Sequence, residues 1–159
     1  MRIVRLAFLV GLACLWTSSL AQAACPGLKA ARLVQDRVIP DKVDVHALRG
    51  ATAEQYVKQY DVVIARAQPC LSEGTPDEQA QALVTISQVR YIQSYILTHD
   101  GIASDRAPAV AIAKRSEQEI NAFTASHAAL SGQNRADLDN WLHFTDLMIN
   151  KPAEACLGC

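Results

Sequence analysis

The chain has 159 residues, half of them hydrophobic, and a formal net charge of −1 at pH 7. This balance excludes the strongly basic surface that nucleic-acid-binding proteins and polybasic membrane anchors use. A chain of this length predicts one domain, large enough to bury a hydrophobic core without depending on a structural metal.

The N-terminal 23 residues have the three zones of a cleavable secretory signal peptide. Arg2 and Arg5 make the start positive, residues 6–16 are uncharged and mostly apolar, and a more polar stretch ends in small residues at 21–23. The apolar zone is shorter than the roughly 20 residues that a transmembrane helix needs. We therefore interpret the segment as a signal peptide that is removed, rather than as a membrane anchor.

Removal of residues 1–23 leaves a mildly acidic chain, since Arg2 and Arg5 are lost and 13 of the 15 basic residues remain against all 16 acidic ones. We expect residues 24–159 to form a single domain, periplasmic or secreted, with a short C-terminal tail. No membrane span and no nucleic-acid partner are predicted for this domain.

Four cysteines remain after the loss of Cys14, and an even number in an exported protein is typical of disulfide bonds. They are Cys25, Cys70, Cys156 and Cys159. If successive helices alternate in direction, the first two lie at the same end of the fold. We therefore predict the pairs Cys25–Cys70 and Cys156–Cys159, while a crossed pairing between the tail and the other two cysteines stays open.

Cys156 and Cys159 also form a CxxC motif at the end of the sequence. A redox-active CxxC precedes a helix that lowers the thiol pKa, a haem-attachment motif needs a following histidine, and a zinc site needs a second pair of ligands. The sequence offers no helix or histidine after the motif. We therefore expect these cysteines to form a structural disulfide.

Apolar residues at spacings of three and four predict an all-α fold. The predicted elements are a short helix from Leu28 to Val38, an irregular connection over 41–51, a helix over 52–69, one from Thr75 to the Asp100-Gly101 stop, one from near Ser104 to the Ser131-Gly132 stop, and one from the Asn134 cap to Ile149. Because the connections between the four main helices are short, neighbouring helices should be antiparallel. The sequence thus predicts an up-down antiparallel bundle of four main helices plus a short N-terminal helix, stabilised by disulfides.

Two of these helices begin with a capping signal. Thr75 and Glu78 match a capping box, and Pro76 occupies the first helical position, where proline is well tolerated. Thr52 and Gln55 predict a second capping box at the start of the 52–69 helix.

The candidate partner-binding residues lie in two places. Tyr91, Tyr95 and His99 follow one another at a spacing of four, beside the core stripe of their helix. Tyrosine is frequent in protein interfaces, although tyrosines also pack at the edge of a bundle with their hydroxyls in water. The connection around His46 and Arg49 is the second candidate, because exposed loops often carry binding residues.

Two further patterns raise the possibility of a ligand or metal. His127 lies on an apolar stripe and is the candidate ligand if the bundle holds a cofactor, although a packed histidine at a helix end is favoured. Asp139, His143 and Asp146 share one face of the last helix, with a spacing that suits a divalent metal. A solvated face with a local ion pair is the favoured interpretation, so no metal site and no cofactor are predicted.

The sequence contains none of the common catalytic or nucleotide-binding motifs, and no catalytic set can be named. We therefore predict a small exported helical protein that acts by binding another protein, such as an inhibitor, an immunity protein or an assembly accessory. The alternative is a helical bundle that binds a small ligand, haem or metal between its helices. An enzymatic function is not favoured.

Overall fold

A computed structural model of the chain describes residues 25–38 and 47–155. These residues form helices, with short turns between successive helices from residue 50 onward, and no β-strand occurs among them. The helices are α1 (Pro26–Val38), α2 (Gly50–Ala67), α3 (Cys70–Glu73, a single turn), α4 (Pro76–His99), α5 (Arg106–Ser126) and α6 (Gly132–Asn150). The all-α antiparallel bundle predicted from the sequence is confirmed. The predicted signal peptide, His46 and the C-terminal CxxC lie outside the described residues.

Helix α4 is the centre of this bundle and contacts all five of the other helices. Helices α1 and α2 pack on each other at one side of α4, and α5 and α6 pack on each other at another side. As a result, α4 is buried on nearly every face between Ala80 and Leu97. The fold is two helical hairpins packed against one central helix, rather than four helices that each contribute one stripe to a shared core.

The start of α4 confirms the predicted capping box. Thr75 Oγ1 accepts a hydrogen bond from the Glu78 N–H at 3.3 Å, and Glu78 Oε2 accepts one from the Thr75 N–H at 2.8 Å. Pro76 is the first residue of the helix. Glu78 also accepts a hydrogen bond from the Cys25 N–H at 2.9 Å, so the cap ties the start of α1 to the start of α4.

The other two predicted caps are wrong. Helix α2 begins at Gly50 with Arg49 at the N-cap position, so Thr52 already lies inside the first turn. Helix α6 is capped by Ser131, whose hydroxyl accepts from the Asn134 N–H. The Asn134 side chain instead donates to Asp77 Oδ1 at 2.7 Å, which joins the start of α6 to the start of α4.

A disulfide joins Cys25 to Cys70, whose Cα atoms are 5.8 Å apart, and this confirms the predicted pair. Both residues are buried, and the bond ties the first described residue to α3. The neighbouring chain segments approach closely, since a Cβ atom at Gly27 would collide with the Arg66 carbonyl. Cys156 and Cys159 lie beyond the described residues, so their pairing stays a prediction.

The turn between α4 and α5 holds a buried carboxyl group. Asp100 is 2 % exposed; its Oδ1 accepts a hydrogen bond from the Ile102 N–H at 2.8 Å, and its Oδ2 is buried without a hydrogen-bond partner. Burial raises the pKa of Asp100 above its ordinary value of 3.8, and the nearby Asp105 carboxyl raises it further. The Ile102 hydrogen bond and the charge of Arg49 oppose this rise without cancelling it.

Replacement of Asp100 by asparagine is expected to raise the melting temperature at pH 7. A carboxyl group whose pKa is raised by folding stabilises the fold fully below its unfolded pKa of 3.8, and this stabilisation is lost as the pH rises through the folded pKa. Asparagine keeps the acceptor for the Ile102 N–H and removes the buried charge. Thermal denaturation of both proteins from pH 3 to pH 8 checks this, and a gain that is equal at every pH would contradict it.

Candidate functional site

The two tyrosines predicted to bind a partner lie in the interface between α4 and α6. Tyr91 and Tyr95 are 4 % and 3 % exposed. The Tyr91 ring lies 5.9 Å from that of Trp141 and 5.5 Å from that of Phe144, measured between centroids. In the structure these rings are part of the core, and a role in binding a partner stays a prediction.

His99 and Arg49 both lie near the turn that follows α4, at one end of the bundle. The half-buried His99 ring stacks on Tyr95 with centroids 4.2 Å apart. Arg49 is exposed, and the chain folds so that its side chain lies beside Gly101, in the turn that follows α4. Gly101 has a φ of +85°, a backbone conformation that favours glycine.

His127 caps the C-terminal end of α5. Its ring stacks on Phe123 with centroids 4.1 Å apart, and its Nδ1 lies 3.0 Å from the Phe123 carbonyl oxygen. This is the packed helix-end arrangement that the sequence favoured over a cofactor ligand.

The three polar residues of α6 that suit a metal are all exposed. Asp139 forms an ion pair with Arg135 at 3.1 Å, and Asp146 accepts a hydrogen bond from Asn150 at 2.6 Å. Within residues 25–38 and 47–155, no group of three or more His, Cys, Asp or Glu residues is placed to hold a metal ion.

A cleft opens between α2 and α5, because both helices pack on α4 but scarcely touch each other. Two cavities lie along it, of about 420 Å³ and about 290 Å³. The larger is lined by Gln68, Leu71, Leu83, Glu119, Ala122, Phe123 and Ser126. The smaller is lined by Val57, Asp61, Ile64, Arg90, Gln93, Ile112 and Arg115. Hereafter "the cleft" means these two cavities together.

An ion pair links the two cavities, since Glu119 lines the larger one and Arg90 lines the smaller one. Arg90 of α4 donates from Nη1 to Glu119 Oε2 at 2.7 Å and from Nη2 to Glu119 Oε1 at 3.2 Å. The side chain of Arg90 is 4 % exposed, and Arg115 adds a second ion pair to Glu119 at 3.0 Å. Burial by itself raises the pKa of Glu119, but the hydrogen bonds and charges of the two arginines outweigh it and lower the pKa overall.

Gln93 fixes the opposite wall of the cleft. Its side-chain Nε2 donates to the Val57 carbonyl oxygen at 2.9 Å and to Asp61 Oδ1 at 2.8 Å. Together with the Arg90–Glu119 pair, this bond ties the central helix to both α2 and α5. Both walls of the cleft are therefore fixed to α4 by hydrogen bonds, with Arg115 exposed on one wall and Asp61 exposed on the other.

The sequence pattern does not predict the cleft or the burial of Arg90 and Gln93, because polar residues on an amphipathic helix normally face water. One available signal was that apolar residues such as Tyr91, Leu97 and Ile92 occupy several faces of α4. A helix that is apolar on several faces is central, and polar residues within it are then buried and paired.

Comparisons with protein-family models, curated proteins and solved structures find no match for this chain. None of the described helices is long and apolar enough to cross a membrane.

Proposed function

We propose that this protein is an exported helical scaffold that binds another protein through the cleft between α2 and α5. The observation that carries the proposal is the cleft itself, which has apolar side chains toward both ends and paired charges in its centre. Apolar area supplies affinity in protein interfaces, whereas charged groups at fixed positions supply specificity and orientation.

The dimensions of the cleft suit a polypeptide segment. Its α5 wall extends from Ile112 to Ser126, which corresponds to about 21 Å along a helix that rises 1.5 Å per residue. The larger cavity is lined mainly by the apolar side chains of Leu71, Leu83 and Phe123. A preformed site of this length lowers the cost of binding, because its walls are already ordered.

The export part of the proposal is supported by the signal-peptide pattern of residues 1–23 and by the Cys25–Cys70 disulfide. Structural disulfides form and persist in oxidising compartments such as the periplasm or the extracellular space. Inhibitors, immunity proteins and assembly accessories are the classes of binding protein that suit a small cross-linked scaffold.

Site-specific photo-cross-linking tests the binding role. A photoreactive amino acid at Ala122, on the α5 wall of the cleft, is compared with one at Asn140, on the exposed face of α6. The expected result is a discrete cross-linked protein from position 122 and none from position 140, in the extracytoplasmic fraction of the native host. Equal yields from both positions, or no product from position 122, would count against binding at the cleft.

A further inference from the structure

Resting on that proposed function, we infer that the cleft receives one amphipathic helix of the partner protein, with an acidic side chain facing Arg115 and a basic side chain facing Asp61. Two features of the cleft carry this inference: the spacing of its apolar residues and the positions of its charges.

The walls of the cleft are themselves helices whose cleft-facing side chains recur at helical spacing. On α2 these side chains are Val57, Asp61 and Ile64, at spacings of four and three. On α5 they include Ile112 and Arg115, a spacing of three. Such rows form ridges and grooves that another helix can match, and helices pack on one another at about 8–10 Å between axes.

The apolar parts of the cleft lie on both sides of the buried ion pair. Phe123 and Leu83 line the larger cavity, whereas Ile112 and Ile64 line the smaller one. Ile112 and Phe123 are separated by about 16 Å along α5, at 1.5 Å per residue. A partner helix therefore needs apolar side chains about three turns apart, with a small or polar residue between them, over the Arg90–Glu119 pair.

The charges of the cleft differ between its two walls. On α4, which forms the floor of the cleft, the charge of Arg90 is offset by Glu119 of α5. On the α5 wall, the Arg115 side chain is 64 % exposed, and on the α2 wall Asp61 is exposed. A helix with its apolar side toward the floor presents one flank to each wall. Reversing its direction exchanges the flanks, so an acid on one flank and a base on the other select a single direction.

The test uses displayed helical peptides of about 18 residues, long enough to span the cleft. They carry apolar residues at positions i and i+11, small or polar residues at i+4 and i+7, and random residues on both flanks. Selection is made against the full chain with its disulfide intact, and affinity is measured by fluorescence anisotropy. The selected peptides are expected to carry acidic residues on one flank and basic residues on the other.

Two variants with matched controls locate the binding. Arg115→Glu should weaken binding of the selected peptide by at least about tenfold, and a peptide with its acidic flank changed to lysine should recover it. The control is Arg135→Glu, because Arg135 is also an exposed arginine paired with an acid four residues later, but on α6. Ala122→Arg should block the cleft, whereas Ala136→Arg, an exposed alanine of α6, should not.

Three results would overturn the inference: no helical peptide is enriched, the selected flanks show no charge preference, or Arg115→Glu and Arg135→Glu act equally. If position 122 still cross-links to a partner protein in any of these cases, the binding function stands and only the helical occupant is wrong. If the product from position 122 is a second copy of this chain and the purified protein is a dimer, the partner-helix inference is likewise overturned.

Discussion

Replacement of both Cys25 and Cys70 by alanine is expected to lower the free energy of unfolding by about 4 kcal/mol. The bond closes a loop with a sequence separation of 45 residues, and a cross-link of that size removes much of the conformational freedom of the unfolded chain. For a domain of this size the loss is a large fraction of the total stability. Denaturation in urea, monitored by circular dichroism, measures it.

A reducing agent provides the internal control for this prediction. Reduction of the wild-type protein should destabilise it by a similar amount, whereas the double variant should show no loss through this bond. The matched comparison is a Cys156→Ala, Cys159→Ala variant, since the predicted second disulfide closes a much shorter loop and should contribute less. A loss below about 1 kcal/mol from the Cys25 and Cys70 pair would contradict the expectation.

Replacement of Glu119 by alanine is expected to cost about 3 kcal/mol of stability. It leaves the Arg90 guanidinium, which is almost fully buried, without its carboxylate partner, and an unpaired buried charge is strongly unfavourable. Asp139→Ala is the matched control because it removes the partner of the exposed Arg135, where an ion pair contributes at most about 1 kcal/mol.

The cost of Glu119→Ala should also depend on pH. Because folding lowers the pKa of Glu119, its ion pairs stabilise the protein above the ordinary value of 4.5, and this stabilisation is lost as the pH falls through the lower folded pKa. The difference between wild type and variant should therefore shrink in acid. Chemical denaturation at pH 7 and at pH 3 tests this, and equal costs for Glu119→Ala and Asp139→Ala would refute the buried ion pair as a source of stability.

Most of the helices could be predicted from the sequence because their signals are local. The apolar stripe of α2, the Thr75 capping box and the glycine that follows α4 each depend on residues within a few positions of one another. The Cys25–Cys70 pair followed from one long-range assumption, the alternation of helix directions. The predicted Thr52 cap failed because α2 begins at Gly50, after an N-cap residue, Arg49, whose side chain makes no capping hydrogen bond.

The cleft could not be predicted in the same way, because it depends on where α2 and α5 sit around α4. The sequence of α4 places Arg90 and Gln93 one turn apart, but whether they face water depends on helices that are distant in the chain. Burial of Tyr91 and Tyr95 has the same origin, since α6 covers them. Each of these outcomes is set by the tertiary arrangement rather than by local periodicity.

Within the described residues, the disulfide cross-links only one of the two helical hairpins. It fastens the α1–α2 hairpin to the chain beside the start of α4, whereas the described part of the α5–α6 hairpin is joined to α4 by packing, the Arg90–Glu119 pair and the Asn134–Asp77 hydrogen bond. A partner held between α2 and α5 would therefore link the two hairpins, which no disulfide joins within the described residues.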